Sequence, residues 1–265
     1  MAYQQHSGVF TNTQAAQAKG QDKWVSTTVT TGVDGDDNFA NTTLLLQGNG
    51  TDGENNNGFI DSSSNAHTIT RNGNVTQGSF SPFSVGERDW SVYFDGNGDY
   101  VRRDQIGDNI GTGDFCIELW AYTENFNGAN VAIIGVNSIS SGANTFLING
   151  TGLHYNNNIY DEFTDHQEYK WQHWVVERDA TSQTISVWID GERDQVVSGQ
   201  PNVDFSASSF AFGTEADSGN FGTLGNYLKG YISNCKISTA VVYGDTTSIT
   251  VPTESYTVDD DTVFL

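Results

Sequence analysis

The run Asp95-Gly96-Asn97-Gly98-Asp99 concentrates side-chain oxygens, because every second residue carries a carboxylate or an amide. Ca²⁺ is bound by roughly six to eight oxygens from such groups, so Asp95, Asn97 and Asp99 form a candidate calcium site. Calcium is the one cofactor that the sequence suggests. Asp and Asn also accept hydrogen bonds from their own backbone in turns. The same residues therefore fit a tight turn without a metal, and both interpretations stay open here.

Carboxylates that hydrolyse a glycosidic bond occur as a pair about 5–9 Å apart. The sequence clusters no acidic residues on one predicted strand. Glu118 stands alone between two apolar residues, and Glu177-Arg178-Asp179 has the pattern of the polar end of a strand. His166 and His173 have no Cys, Asp or Glu at a spacing typical of metal sites. We therefore expect no enzymatic activity, with a glycan-degrading enzyme as a remote alternative.

Sugar-binding sites combine an aromatic ring, which packs on the apolar face of the sugar, with amide or carboxylate groups for the hydroxyls. Loops of this composition occur at 125–128, 155–161 and 220–222. The candidate glycan-binding residues in these loops are Phe126, Tyr155, Tyr160 and Asp161. The same loops also fit ordinary Asn-rich β-turns, so glycan binding is one of two interpretations of them.

Short strands must position these residues. Apolar and polar residues alternate in 91–95 and in 185–189, which is the period of a half-buried strand. Turns rich in Gly, Asn and Asp separate such segments at intervals of about ten residues. The stretch 91–101 has the pattern of two strands around an Asp-Gly turn, which predicts a β-hairpin. The whole pattern predicts an all-β, antiparallel two-sheet sandwich. Four tryptophans are expected in the core or on a sheet face, namely Trp120, Trp171, Trp174 and Trp188.

The net charge of the chain is −22, with only 11 basic residues. Nucleic acid is therefore not expected as a partner, since phosphate binding needs clustered Lys and Arg. No apolar run reaches the roughly 18 residues of a membrane helix, so membrane insertion is not expected. Residues 1–6 lack the pattern of a signal peptide, which predicts synthesis in a cytoplasm without export by that route. Cys116 and Cys235 have no CxxC spacing and are expected to be buried free thiols.

Residues 1–41 differ from the rest, being rich in Gln, Thr, Ala and Asp with few apolar anchors. Such a segment cannot bury a core alone, so we predict an extended N-terminal arm over 1–41 and a sandwich domain over 42–265. Phe10 and Trp24 are the candidate assembly residues, through which the arm would dock on a neighbouring subunit or a larger assembly. We therefore expect a homo-oligomer. A flexible terminus is the alternative.

Five segments occur in a fixed order. They are FDGNGDYV from Phe94, FCIELW from Phe115, WQHWVV from Trp171, ISVWIDG from Ile185 and GYISNCKI from Gly230. Their order and spacing resemble laminin-G-like domains of the concanavalin A-like lectin superfamily, which read roughly FDGxxDYV, FTIExWV, WHHVA, YVDG and GxIDDVRIY. The resemblance covers about residues 42–242 and implies a concanavalin A-like jelly roll. It also implies a structural role for His173, and many such domains hold calcium near the FDG loop.

A second resemblance covers the run TTLLLQGNGTDGENNNGFIDSSSNAHTITRNGNVTQGSFSPFS, residues 42–84. It is similar to the opening of laminin-G-like modules in bacteriophage tail-fibre and virion-surface proteins. This implies a non-enzymatic virion structural protein, made in the host cytoplasm and exposed on the particle as a tail fibre or adhesin. It would bind host surface glycans through the sandwich loops and other virion proteins through its arm. A capsid or tail decoration protein with a purely structural role is the alternative.

Overall fold

The computed structural model describes residues 41–46, 58–83, 90–103, 110–126, 130–138, 146–156, 158–206, 208–217, 220–221 and 226–256. All of them belong to the unit Asp36–Leu265. The predicted assembly residues Phe10 and Trp24 lie outside these ranges, so the arm stays a prediction. In the described part of the chain, no helix is long and apolar enough to cross a membrane.

The described residues form β-strands joined by turns. The strands are β1 (Thr42–Leu46), β2 (Thr70–Asn72), β3 (Thr76–Gly78), β4 (Ser91–Asp95), β5 (Tyr100–Arg103), β6 (Phe115–Thr123), β7 (Ala132–Ser138), β8 (Phe146–Asn149), β9 (Gly152–Tyr155), β10 (Asn158–Ile159), β11 (Trp171–Asp179), β12 (Thr184–Ile189), β13 (Glu192–Val197), β14 (Ser208–Phe212), β15 (Ala216–Asp217), β16 (Asn220–Phe221) and β17 (Lys229–Ser238).

Two large sheets carry these strands. The front sheet has the order β13-β12-β11-β6-β17-β4-β3, with β1 also paired to β17, and the back sheet has the order β10-β9-β8-β7-β14-β5-β2. Pairing in both sheets is antiparallel. A short separate pair joins β15 and β16. The predicted all-β, antiparallel two-sheet sandwich is confirmed.

Alternation along the strands decides which side chains fill the interior. In β6, Ile117 and Leu119 belong to the core between the sheets, whereas Glu118 and Trp120 point to the other face of the front sheet. Phe210 and similar apolar residues of the back sheet meet them from the opposite side. The front sheet therefore has an inner face that packs in the core and an outer face whose side chains lie outside that core.

The predicted hairpin at 91–101 is wrong. β4 pairs with β3 and β17 in the front sheet, whereas β5 pairs with β2 and β14 in the back sheet. The turn after β4 therefore crosses from one sheet to the other. Gly96 and Gly98 have φ values of 84° and 82°, a region that Gly enters without steric cost. These glycines signalled a tight turn correctly, but a turn does not specify the partner of either strand.

The predictions for the tryptophans and cysteines are confirmed. Trp174 and Trp188 are buried, and Trp120 and Trp171 lie half-buried on the outer face of the front sheet. Cys116 and Cys235 are both buried free thiols. Burial raises the pKa of both thiols well above its ordinary value, so neither is activated as a nucleophile.

Candidate glycan-binding site

Two of the four predicted glycan-binding residues cannot contact a ligand, because Tyr155 and Phe126 are each only 1% exposed. The Tyr155 hydroxyl donates to the carbonyl of Pro201 at 2.9 Å and accepts a bond from Nε of Arg178 at 3.2 Å. Phe126 packs in the core, with its ring centroid 5.9 Å from that of Trp174. For these two the prediction is wrong, because aromatic residues beside Asn-rich turns here face inward.

The other two predicted residues lie together at a surface groove. Tyr160 and Asp161 form one wall of it, and Asp194, Gln195 and Val196 of the edge strand β13 form the other. Tyr160 is half-buried and its hydroxyl donates to Oε1 of Gln200 at 2.5 Å, whereas Asp161 is exposed. We call this the edge groove, and it combines an aromatic ring with an accessible carboxylate.

Gly152 explains why the wall of the edge groove can pass so close to β9. A Cβ at this position would lie 2.3 Å from the carbonyl oxygen of Tyr160 and 2.7 Å from that of Asp161. The φ of Gly152 is also 127°, which L side chains rarely adopt. Only glycine therefore lets the segment carrying Tyr160 and Asp161 lie against the first residue of β9.

Hydrogen bonds hold the second wall of the edge groove in place, but two of its side-chain oxygens accept no hydrogen bond from a described residue. Asp194 Oδ1 accepts bonds from the backbone N–H groups of Thr164 at 2.8 Å and Asp165 at 2.9 Å. The Gln195 side-chain amide donates to the carbonyls of Asp161 and Glu162. Within the described ranges, Asp194 Oδ2 and Gln195 Oε1 are shielded from solvent and have no donor. Because solvent does not reach these two oxygens, a ligand in the edge groove does not reach them either.

The sequence reasoning missed Asp194 and Gln195. The signal that could have found them is Asp190-Gly191, with φ values of 50° and 89°. This pair fits the two-residue turn of a hairpin, and β12 and β13 are indeed paired around it. A predicted hairpin here makes 192–197 an edge strand whose polar residues border the loop at 160–165.

The candidate calcium residues hold two turns together. Asp99 is fully buried, and its two carboxylate oxygens accept bonds from the backbone N–H groups of Asn74 at 2.8 Å and Asp95 at 3.0 Å. Asp95 Oδ1 accepts a bond from the N–H of Asn97 at 2.7 Å. These hydrogen bonds agree with the interpretation of 95–99 as a tight turn that needs no metal. Among the described residues, no group of three or more His, Cys, Asp or Glu side chains is placed to hold a metal, and calcium stays a prediction.

Asp99 also faces a second inter-sheet turn. Gly73 lies between β2 of the back sheet and β3 of the front sheet, and a Cβ there would lie 2.2 Å from Asp99 Oδ1. The Asn72 side-chain amide donates to the carbonyl of Gly98 at 2.9 Å. The two crossings, 73–75 and 96–99, are therefore fastened side by side, and Asp99 is the fully buried link between them.

Two carboxylates lie on the outer face of the front sheet. Glu118 of β6 and Glu177 of β11 are on neighbouring strands, offset by two residues in the register, so diagonal pairing brings their Cβ atoms within about 7–8 Å. Both are almost fully buried. This is the arrangement that a glycosidase could use, and sequence reasoning missed it because the two residues are far apart in the chain.

Segment 240–256, which we call the outer strap, donates hydrogen bonds to both carboxylates. Glu177 accepts three bonds from the backbone N–H groups of residues 242–244, at distances of 2.5, 2.9 and 2.7 Å. Glu118 accepts bonds from the hydroxyls of Tyr243 at 2.7 Å and Tyr256 at 3.3 Å, and it pairs with Lys236 at 3.1 Å. The pair therefore fastens the outer strap to the sheet.

The two histidines beside the tryptophans are held neutral. His173 Nε2 lies 2.9 Å from the Tyr256 hydroxyl, and burial lowers the pKa of His173 to about 4. His166 Nε2 lies 2.8 Å from Oγ1 of Thr123, and burial lowers its pKa to about 4 as well. The structural role that the resemblance implies for His173 agrees with this contact to the outer strap.

Two antiparallel sheets packed face to face, with a groove at one edge, define a lectin-like sandwich. Residues 95–245 match the family model described as the concanavalin A-like lectin/glucanases superfamily, Laminin_G_3. The chain belongs to this superfamily. No curated protein sequence is significantly similar to the chain.

Solved structures similar to this chain come from proteins of several kinds. The binding domain of botulinum neurotoxin DC, in complex with rat synaptotagmin II, is 15% identical with a TM-score of 0.54, covering 77% of this chain and 49% of that chain. A sialidase of Trypanosoma rangeli is 13% identical with a TM-score of 0.51, covering 77% and 31%. Domain 4 of the arabinanase AbnA from Geobacillus stearothermophilus, in complex with arabinotriose, is 17% identical with a TM-score of 0.49, covering 75% and 92%. At these identities the similarity to the neurotoxin domain and to the sialidase concerns the fold alone.

Proposed function

We propose that the protein is a non-enzymatic glycan-binding module of a bacteriophage virion, exposed on the particle as a tail fibre or adhesin. The observation that carries glycan binding is the edge groove. Tyr160 supplies a half-buried aromatic ring, Asp161 an exposed carboxylate, and Gln195 of the opposite wall a partly exposed polar side chain. A hydroxyl-rich sugar with one apolar face matches this combination.

The absence of catalysis is part of the proposal. A glycosidase needs one carboxyl group that can donate a proton to the substrate and a second that acts as nucleophile or base. Glu118 and Glu177 already accept hydrogen bonds from the outer strap and are shielded by it. Burial does raise the pKa of Glu177, but no sugar reaches either group unless the outer strap leaves. This arrangement favours a binding role.

The virion setting rests on the resemblance of residues 42–84 to phage tail-fibre and virion-surface modules. The strongly acidic composition suits a protein that stays soluble at high local concentration through self-repulsion. The proposed partners are other virion proteins and further copies of the chain through residues 1–41, and a host surface glycan. Decoration of the capsid or tail, with no ligand, is the second candidate. Calcium is proposed only as an accessory ion at 95–99.

Binding of the intact protein to a printed array of neutral, amino and acidic oligosaccharides tests the glycan proposal. We expect Asp161→Ala to weaken the strongest interaction roughly 10- to 150-fold, since a hydrogen bond to a charged group contributes about 1.5–3 kcal/mol. Glu254→Ala is the control, because it removes one exposed carboxylate outside the edge groove. Unchanged binding by Asp161→Ala would place the glycan elsewhere, and no binding by the intact protein would favour decoration.

The virion proposal is tested by immunogold labelling of particles and by a chain that lacks residues 1–41. We expect label on the particle surface and a truncated chain that folds but is not incorporated. Release of reducing ends from host polysaccharide would contradict the non-enzymatic part of the proposal. Incorporation of the truncated chain at the level of the intact one would contradict the role of the arm.

A further inference from the structure

Four aromatic side chains form a row across the outer face of the front sheet. Tyr93 of β4 lies opposite Tyr231 of β17, Tyr231 lies opposite Tyr122 of β6, and Tyr122 lies opposite Trp171 of β11. Residues opposite each other in antiparallel strands share a face. The ring centroids are 4.9, 5.8 and 5.8 Å apart along the row, close to the strand spacing of about 4.8 Å.

Phe80 stands on the middle of this row and completes the surface, which we call the aromatic face. Its ring centroid lies 4.8 Å from that of Tyr231, 5.1 Å from Tyr122 and 5.5 Å from Trp171. A bond of 2.5 Å from Oγ of Ser91 to the Phe80 carbonyl holds the backbone. Phe80 is nevertheless 45% exposed, so its outer ring face is available to a ligand.

The aromatic face carries tyrosine hydroxyls that have no hydrogen-bond acceptor among the described residues. No described residue accepts a hydrogen bond from the hydroxyls of Tyr93, Tyr122 or Tyr231, and all three side chains are only half-buried. Such residues present an apolar body and a polar tip. A purely apolar partner would cover three hydroxyls without pairing them, which is unfavourable. A ligand with apolar ring faces and many hydroxyls would satisfy both parts.

Two ion pairs lie next to the aromatic face, one near β17 and the other near β11. Lys229 pairs with Glu124 at 2.9 Å, and Lys170 pairs with Asp190 at 2.8 Å. Each cation is therefore matched by one carboxylate, although the whole chain carries a net charge of −22. Asp95 of β4, opposite Lys229, adds a further carboxylate, so among the described residues this border has no unmatched cation that would attract an anionic chain. The complementary ligand is uncharged.

We propose that the aromatic face is a second binding surface, separate from the edge groove, and that its occupant is a neutral oligosaccharide chain lying across the strands. Successive sugar rings would pack on Phe80 and the flanking aromatic rings, and their hydroxyls would pair with the tyrosine hydroxyls. This inference rests on the proposed glycan-binding function and adds the class of glycan. A second copy of the chain is the competing occupant.

The test measures array binding and dissociation constants for Phe80→Ala and Tyr231→Phe. Loss of the Phe80 ring should weaken binding of neutral oligosaccharides roughly three- to tenfold, the size of one aromatic contact. Tyr231→Phe keeps the ring and should weaken binding by a smaller factor, which covers the case that Phe80→Ala destabilises the fold. Ile60→Ala is the matched control, since Ile60 is 60% exposed and lies outside the aromatic face.

The outcomes separate this inference from the proposed function. If the intact protein binds no glycan, both fail. If it binds glycans but Phe80→Ala and Tyr231→Phe bind like Ile60→Ala, or if it binds acidic glycans alone, only the inference fails. Sedimentation of the same variants tests the competing occupant. A dimer that Phe80→Ala converts to monomers, with glycan binding unchanged, would assign the face to self-association and overturn the inference.

Discussion

Replacing Asp99 by Ala should destabilise the protein more than any other single change in the 95–99 turn. The substitution removes the acceptor for two backbone N–H groups, those of Asn74 and Asp95, at 2.8 and 3.0 Å. Hydrogen bonds to a charged group contribute about 1.5–3 kcal/mol each. Burial also raises the pKa of the Asp99 carboxyl, so part of this gain is offset by desolvation. We expect a net loss of about 2–4 kcal/mol.

The measurement is the free energy of unfolding in urea, with and without EDTA. Asp95→Ala is the matched variant, because it removes a carboxylate from the same turn but only the bond to the N–H of Asn97. Its expected cost is about 1 kcal/mol or less, because this bond is exposed and water can replace it. EDTA should leave the unfolding midpoint of the intact protein unchanged if Asp99 acts as a link between two turns.

Calcium predicts a different result. An ion held by Asp95, Asn97 and Asp99 would make the two variants lose similar stability, and EDTA would lower the midpoint of the intact protein to the level of the variants. That outcome would refute the reasoning from the two backbone hydrogen bonds and establish the metal interpretation.

Two further predictions concern the outer strap. Glu177→Ala should lower the free energy of unfolding by about 3 kcal/mol, because three backbone N–H groups lose one buried acceptor. Limited proteolysis should then cut within 240–256, and the exposed Glu192→Ala is the control. Resistance of this segment to proteolysis in Glu177→Ala would contradict the prediction. His173 has a pKa of about 4 in the fold against an ordinary value of 6.5, so below pH 6.5 the unfolded chain binds a proton that the folded chain does not. Unfolding in urea should therefore show about 2 kcal/mol less stability from this group at pH 5 than at pH 7, and a His173→Asn variant with the same pH dependence as the intact protein would exclude this contribution.

The positions of the strands could be read from the sequence, but the pairing of some could not. Alternating residues in 91–95 and 185–189 predict β4 and β12 because strand period is a local property. The turn at 95–99 has residues that also suit a hairpin, yet it joins two sheets. Which strand lies beside β4 depends on β17, about 135 residues further along the chain. No local pattern carries that information.

The candidate sites show the same limit. Tyr160 and Asp161 were found from composition, whereas Tyr155 in the same loop is buried by contacts to Pro201 and Arg178 that its neighbours do not indicate. The aromatic face needs the register of β4, β17, β6 and β11 before its members become neighbours. In the sequence, Glu177 has the pattern of a polar strand end. Its hydrogen-bond donors in 242–244 are backbone N–H groups, which residue types do not reveal.

The position of β17 has a consequence for how the chain reaches its native state. Although this strand comes late in the sequence, it lies in the interior of the front sheet between β6 and β4 and also pairs with β1. The sheet therefore cannot close until residue 238 has left the ribosome. Contacts this distant in sequence slow folding by raising contact order. Nascent chains would expose unpaired edges of β1, β4 and β6 meanwhile, so chaperone supply during synthesis should control the yield of folded protein.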